Sequence, residues 1–205
     1  MTDIALQNDA NGAVPEAIRD ALGRHSVVLI GMMGVGKSSI GRRLAARLGV
    51  PFVDADTEIE HAAGMSISDI FARHGEADFR SGEARVIARL LESGPQVLAT
   101  GGGAFMNEAT RAAIKNKGIS IWLAAEFDVL MRRIAKRKNE RPLLQTPDPA
   151  ETLRHLLAVR EPVYALADLT VHSREVPHDA IVVEIVAALA AFLNVAAESP
   201  REGGA

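Results

Sequence analysis

A glycine-rich stretch near the beginning of the chain has the residue types and spacing of a loop that holds phosphate groups. From Gly31 the sequence reads GMMGVGKS, which matches the pattern G-x-x-x-x-G-K-[ST]. Glycines let successive backbone N–H groups turn toward a phosphate, a Lys37 ammonium can bridge the β- and γ-phosphates, and a Ser38 hydroxyl can ligate Mg²⁺. The pattern predicts that a nucleoside triphosphate binds here, but the phosphoryl acceptor could be water, a protein or a small molecule. The residues that we expect to contact the nucleotide are Gly34, Val35, Gly36, Lys37, Ser38 and Ser39.

Two aspartates follow the next apolar run, in the sequence FVDAD. In an extended segment residues i and i+2 share a face, so we expect Asp54 and Asp56 to point into one site. Two neighbouring carboxylates need a cation, which Mg²⁺, Lys37 or an arginine could supply. The alternative is that Asp56 only caps the helix that starts at TEIE. The chain has no N-K-x-D motif for guanine and no strand that ends in a typical magnesium-binding aspartate, so Asp54 is the candidate carboxylate for Mg²⁺.

These residues must be positioned by an alternation of strands and helices. Short apolar runs rich in β-branched residues, such as SVVLI, alternate with segments that have helical periodicity. This order predicts an α/β fold with a central five-stranded parallel sheet flanked by helices on both faces. Ligands of such sheets bind at the carboxyl ends of the strands. The phosphate loop, the aspartate pair and the triple glycine Gly101–Gly103 each follow a predicted strand, so we expect them to meet.

Local signals place several helix boundaries. Gly49 suits the end of the helix that follows the phosphate loop. Capping boxes at Thr57–Glu60 and Ser66–Asp69 predict two helix starts. Gly82 is the expected weak point of the long helical segment that follows.

The composition excludes several functional classes. The 205 residues carry a formal net charge of -3 with a pI of about 6.1, which argues against nucleic acid as a partner. The chain has no cysteine, so disulfides, thiolate catalysis and cysteine zinc sites are excluded. No apolar run approaches the roughly 18 residues that span a bilayer. The six histidines lack metal-ligand spacing and are expected to be surface or packing residues.

We expect one domain at residues 25–196, preceded by a flexible extension at 1–24 and followed by a flexible tail at 197–205. In the extension, a short helix after Pro15 would place Val14, Ile18 and Leu22 on one face. We further expect a cytoplasmic monomer, because the predicted helices already cover both faces of the sheet.

Taken in order, the motifs of the chain resemble those of the shikimate kinase family. The resemblance covers roughly Ser26 to Phe192 and rests on GMMGVGKSSIGRRLA, FVDAD, SISDIFARHGEADFRSGE, ATGGGA, RPLL and REPVYALAD. It implies a three-layer P-loop kinase fold with acceptor-binding helices at about 57–94 and a lid at about 136–150. It also implies a Mg²⁺-dependent transfer of the γ-phosphoryl of ATP to the 3-hydroxyl of shikimate, a small hydroxylated cyclohexene carboxylate. The product would be shikimate 3-phosphate, in the chorismate pathway of aromatic amino acid synthesis.

The resemblance also implies roles for residues around the acceptor. Asp56 would accept hydrogen bonds from the acceptor hydroxyls and is the candidate base, while Arg80 and Arg160 would grip the carboxylate. A planar carboxylate favours such bidentate guanidinium partners. Glu83 would support Arg80, and Gly101, Gly102 and Gly103 would form the floor of the site. From the residues alone, Arg80 and Glu83 could instead pair on a helix surface, Arg160 could be a surface charge, and the glycines could form a simple turn.

Other roles follow from the resemblance with less support from the residues themselves. Phe71 and Phe79 would line the acceptor pocket, although aromatic residues alone more often belong to a core. Arg174 would stack on the adenine.

Arg141, fixed by Pro142, would come from the lid to the transition state of the transfer, because phosphoryl transfer needs positive charge and protection from water. A second basic residue of this region stays open between Arg133, Lys136 and Arg137.

Two rival functions remain from the sequence. A kinase for another small hydroxylated acid, such as gluconate, would share the phosphate loop but would not need DFRSGE, TGGGA and a late arginine together. A catalytically silent ATP-binding module or partner subunit would not need the complete set of charged residues.

Overall fold

Five short apolar runs form the predicted parallel sheet in the computed structural model, which describes residues 13–135 and 148–195. The strands are β1 (Ser26–Ile30), β2 (Phe52–Asp54), β3 (Val97–Ala99), β4 (Gly118–Ala124) and β5 (Leu169–His172). Their order is β2-β3-β1-β4-β5, and each pairing is parallel. All five residues of β1 are buried, as expected for the central strand of a covered sheet. The phosphate loop therefore leaves the sheet at its centre.

Helices flank this sheet as the alternation predicted. They are α1 (Ala13–Leu22), α2 (Lys37–Leu48), α3 (Ala55–Ala63), α4 (Ile67–Leu91), α5 (Glu108–Lys117), α6 (Phe127–Ala135), α7 (Pro149–Tyr164) and α8 (His178–Phe192), with a 3₁₀ turn at Ala104–Met106. Helix α2 packs against α1 and α8, while α4 packs against α3 and α5. Within the described ranges, no helix combines the length and apolar content that a membrane crossing requires.

The segment before β1 is more ordered than the sequence suggested. Helix α1 forms where a loose extension was expected, and Ile18 and Leu22 are fully buried in the main core. The predicted apolar face of a short helix is confirmed, but it packs against α2 and α8 and is not loose. The remaining residues 1–12 and the tail from 196 lie outside the described residues.

Helix α3 begins three residues earlier than the predicted capping box would start it. Asp54 is its N-cap residue, and the Asp54 carboxylate accepts a hydrogen bond from the Asp56 N–H at 3.2 Å. This cap satisfies a backbone donor that a helix start leaves open and places a negative charge at the positive end of the helix. The prediction of a start at Thr57 was therefore wrong, and Asp56 lies in the first helical turn, not on an extended strand.

Helix α4 begins as predicted but breaks elsewhere. Ser66 is its N-cap, with Oγ accepting from the Asp69 N–H at 3.1 Å. The break lies at Gly75, with φ 81° and ψ 173°, and not at the expected Gly82. A positive φ of this kind strains side chains with a Cβ, so glycine suits the break. Gly49 ends α2 with a left-handed conformation, as predicted.

Candidate active site

The phosphate loop joins β1 to α2 through two glycines that the geometry requires. A Cβ on Gly31 would lie 2.5 Å from the Leu123 carbonyl oxygen of β4, so only glycine fits. Gly36, with φ 104°, is the N-cap of α2 and supplies no side-chain cap. A helix start without a side-chain cap can present its first N–H groups to an anion.

The Lys37 side chain folds back over this loop. Its Nζ donates hydrogen bonds to the carbonyl oxygens of Gly31 at 2.7 Å and Met32 at 3.0 Å. These bonds hold the ammonium at the loop, where phosphate oxygens would bind. The position fits the predicted contact with the nucleotide phosphates.

A pair of oxygen donors suited to Mg²⁺ lies beside the loop. The Ser38 hydroxyl donates to Asp54 Oδ2 at 2.7 Å, so a hydroxyl and a carboxylate already face one another. Hard oxygen ligands fit Mg²⁺, which commonly takes one or two from the protein and the rest from phosphates and water. Among the described residues no group of three or more acidic or histidine side chains could hold a metal ion. Two oxygen ligands suit an ion whose other ligands are phosphate oxygens and water.

Two adjoining cavities meet beside Asp54 and Asp56. The phosphate cavity, about 320 Å³, is lined by Gly34, Gly36, Lys37, Ser38, Ser39, Asp54, Asp56, Thr100, Gly101, Gly102, Arg133 and His178. The acceptor cavity, about 380 Å³, is lined by Met33, Asp54, Asp56, Thr57, Glu60, Ile67, Ser68, Phe71, Phe79, Arg80, Glu83, Gly101, Gly102, Gly103 and Arg160. Both aspartates and the first two glycines of the triple glycine line both cavities. A group bound in one cavity could therefore be transferred to a molecule in the other.

Charged side chains lie close to the backbone of two residues of the triple glycine, Gly101 and Gly103. A Cβ on Gly101 would lie 2.8 Å from Glu83 Oε1 and 2.9 Å from Asp56 Oδ1. A Cβ on Gly103 would lie 2.5 Å from two guanidinium nitrogens of Arg80. The glycines therefore do more than form a turn. Because they lack side chains, two carboxylates and a guanidinium can lie against the same stretch of backbone.

The predicted pairing of Arg80 with Glu83 is present. Arg80 Nη1 donates to Glu83 Oε2 at 2.7 Å, and Arg80 Nη2 donates to Glu76 Oε1 at 3.1 Å. The Glu83 side chain is only 2% exposed, so the pair does not lie on a helix surface. The Arg80 guanidinium also lies over the Phe79 ring, 5.0 Å from its centroid. These contacts fix a cation in the wall of the acceptor cavity.

The second oxygen of Glu83 predicts a pH dependence of stability. Glu83 Oε1 is buried without a hydrogen-bond partner among the described residues. Burial raises the pKa of Glu83 above 4.5, against the opposing effect of Arg80 and with a contribution from Asp56. Because the folded pKa is the higher one, this carboxyl favours folding below pH 4.5, and that contribution is lost as the pH rises through the folded value.

We therefore expect the stability of the wild type relative to Glu83→Gln to fall as the pH rises above about 4.5. Urea unfolding midpoints of both proteins across this range measure the difference. Glu76→Gln removes the other hydrogen-bonding carboxylate of Arg80 and is the matched control. A difference between wild type and Glu83→Gln that rises with pH would contradict the assignment.

Arg160 is buried and does not lie on a helix surface. It is 7% exposed, and its Nη1 donates to the Gly102 carbonyl oxygen at 3.2 Å and contacts Met32 Sδ at 3.9 Å. The guanidinium therefore lies between the triple glycine and the phosphate loop, and it lines the acceptor cavity. Arg80 and Arg160 give this cavity two cations.

Tyr164 supports the floor of the site from behind, a role that the sequence did not predict. Its hydroxyl donates to the Gly102 carbonyl oxygen and contacts Met32 Sδ at 3.7 Å. Burial raises the pKa of Tyr164 to about 12, so the hydroxyl stays protonated and remains a donor. Tyr164 follows Arg160 by four residues on α7, and this spacing on one helix face was the signal that could have found it.

The two predicted aromatic residues line the acceptor cavity and pack together. The Phe71 and Phe79 rings have centroids 4.6 Å apart. Phe79 belongs to a small buried cluster with Ile59 and Ile70, which is separate from the main core. We call these three residues the acceptor cluster. Phe79 thus packs in this cluster and also lines the acceptor cavity.

Of the basic residues left open, Arg133 lies at the phosphate cavity. Arg133 Nη1 donates to the Val35 carbonyl oxygen at 3.1 Å and to Ser173 Oγ at 2.8 Å, while Nη2 donates to the Arg174 carbonyl oxygen at 2.6 Å. It ties the phosphate loop to the segment after β5. The Arg174 side chain is exposed and pairs with Glu184, so stacking on adenine stays a prediction.

The expected lid residue Arg141 lies outside the described residues, as do Lys136 and Arg137. The role of Arg141 therefore stays a prediction.

Comparisons with known proteins agree with this geometry. A model of the shikimate kinase family matches residues 33–190. A shikimate kinase from Bradyrhizobium diazoefficiens is 62% identical over 205 residues, which cover 98% of this chain and 97% of the relative.

Solved structures give the same result. A shikimate kinase from Acinetobacter baumannii in complex with shikimate has a TM-score of 0.79 and 35% identity, over 88% of this chain and 99% of its own. A gluconokinase from Sinorhizobium meliloti has a TM-score of 0.59 and 22% identity, over 83% of this chain and 94% of its own, which shows a shared fold. On this evidence the chain belongs to the shikimate kinase family.

Proposed function

We propose that this protein transfers the γ-phosphoryl of ATP to the 3-hydroxyl of shikimate, giving shikimate 3-phosphate and ADP in the chorismate pathway. The observation that carries the proposal is the junction of two cavities at Asp56, one beside a phosphate loop and one walled by Arg80 and Arg160. Membership of the shikimate kinase family names the acceptor that such a cavity takes.

The acceptor cavity suits a small hydroxylated carboxylate. Arg80 and Arg160 would bind the carboxylate through charge-assisted hydrogen bonds, which are stronger than neutral ones. Asp56, at the opening toward the phosphate cavity, would accept a hydrogen bond from the hydroxyl that is to be phosphorylated. The Gly101–Gly103 backbone lets the ring approach closely.

The protein contributes mainly position and charge to the transfer. Lys37 would contact the β- and γ-phosphates from its place over the loop, and Arg141 of the lid would neutralise charge that develops on the transferred group. Ser38 and Asp54 would hold Mg²⁺, which supplies further neutralisation of phosphate charge when bound. Asp56 orients the hydroxyl and is the candidate to receive its proton.

A gluconate kinase is the second candidate, because a gluconokinase shares the fold. The buried Arg160 and the Arg80–Glu83 pair favour a rigid acceptor whose carboxylate is bound by two guanidinium groups.

ADP release, coupled to a spectroscopic readout with Mg²⁺ and ATP present, separates the candidates. We expect turnover with shikimate and only background ADP release with gluconate. Faster release with gluconate would overturn the acceptor assignment. Release with neither acid would support a silent ATP-binding module.

We further propose a cytoplasmic monomer that acts on its two small substrates without a nucleic acid or membrane partner. Helices that cover the sheet support the monomer, and the net charge of -3 supports the absence of a nucleic acid partner. Sedimentation equilibrium of the full chain tests the monomer directly.

A further inference from the structure

His178 lies at the phosphate cavity, although the sequence predicted only surface or packing histidines. It is the first residue of α8, is half-buried and lines this cavity. Its Nε2 would lie 3.7 Å from a Cβ on Gly36, the residue that caps α2. The imidazole therefore faces the glycine from which the phosphate-binding helix starts.

Charge at this position favours an anion. The N-termini of α2 and α8 both lie here, neither has a side-chain cap, and each carries the partial positive charge of a helix start. Lys37 and Arg133 line the same cavity. The neighbouring Asp179 pairs with Arg43 at 3.4 Å.

The two cavities indicate which phosphate of a nucleotide would lie near this ring. The γ-phosphate must reach Asp54 and Asp56, where the cavities join. Gly34, Gly36 and His178 line the phosphate cavity but not the acceptor cavity, as do Lys37 and Ser38, so His178 lies on the nucleotide side of that junction. With the β- and γ-phosphates assigned to Lys37, the α-phosphate is the remaining phosphate on this side.

We propose that His178 binds the nucleotide in this chain, with its Nε2–H donating a hydrogen bond to the α-phosphate of ATP or ADP. The inference rests on the proposed function only in that the phosphate loop holds an adenine nucleotide. An imidazole always carries at least one N–H, and a phosphate oxygen nearby favours the tautomer with the proton on Nε2. The ring thereby adds a side-chain donor to the backbone donors of the loop.

Nucleotide binding to the full-length protein without acceptor tests the proposal. Competition against a fluorescent ADP analogue gives the affinity for ADP, AMP and adenosine. We expect His178→Ala to weaken ADP and AMP binding about tenfold, as loss of a charge-assisted hydrogen bond predicts, with adenosine unaffected. His178→Gln places an N–H at similar reach and should restore most of the affinity. His172→Ala, an exposed residue at the end of β5, is the matched control and should bind like the wild type.

Several results would overturn the proposal. Unchanged ADP affinity in a folded His178→Ala variant would show that this side chain does not contact the nucleotide. If adenosine lost as much affinity as AMP, the ring would contact the nucleoside and not the phosphate. If ADP alone lost affinity, the assignment to the α-phosphate would be wrong. Failure of His178→Gln to restore affinity would indicate ring packing. Because the assay needs no acceptor, a wild type that binds ADP but does not phosphorylate shikimate would contradict the proposed function alone.

Discussion

Lys37→Ala is expected to lower kcat about a thousandfold, because it removes the cation that lies over the phosphate loop. In the structure this ammonium is held by two carbonyl oxygens of the loop, from Gly31 and Met32. These bonds keep the ammonium at the loop, so it needs little reorganisation during the transfer. Rapid-quench single turnover with saturating ATP and shikimate measures the chemical step directly.

Two controls separate charge loss from loop damage. Lys115→Ala removes an exposed lysine of α5 and should retain wild-type kcat. Thermal unfolding of Lys37→Ala should show a folded protein, since the loop is also held by Arg133 through the Val35 carbonyl oxygen. A folded variant that keeps more than about one tenth of the wild-type kcat would rule out the assigned role.

Arg160→Ala is expected to raise KM for shikimate about a hundredfold, with KM for ATP nearly unchanged. Hydrogen bonds to charged groups contribute about 1.5–3 kcal/mol, and this guanidinium is shielded from water at 7% exposure. The loss should weaken binding of the carboxylate-bearing acceptor and not of ATP. Steady-state kinetics with each substrate varied in turn measures the two KM values.

The same helix offers a matched control for this variant. Arg154 is exposed on α7 and pairs with Glu151, so Arg154→Ala should leave both KM values unchanged. Arg80→Ala is a less clean test, because it would leave the buried Glu83 carboxylate without its partner and so destabilise the protein. An unchanged KM for shikimate in Arg160→Ala would exclude the predicted carboxylate contact.

The sequence predicted the parts of the fold that depend on local patterns. Apolar β-branched runs separated by helical periodicity were enough for five parallel strands. The rule that ligands bind at strand ends then brought together Lys37, Asp54 and the triple glycine. Those predictions held because each rests on side-chain periodicity or on glycine geometry within one short segment.

Contacts between distant segments set the limit of that approach. Tyr164 contacts Gly102, 62 residues away, and its local spacing from Arg160 indicates a shared helix face but not this hydrogen-bond partner. His178 faces Gly36 only because α8 packs against α2. The early start of α3 follows from the Asp54 side chain, which could either cap a helix or face a site, and the structure has it do both.

The acceptor cluster also bears on how acceptor specificity can change during evolution. Ile59, Ile70 and Phe79 pack with one another and not with the main core. Of the three, Phe79 lines the acceptor cavity, so a substitution that reshapes the cavity there need not be accommodated beneath the phosphate loop. Mutations that alter acceptor choice can accumulate in α3 and α4 while the nucleotide-binding half stays constant.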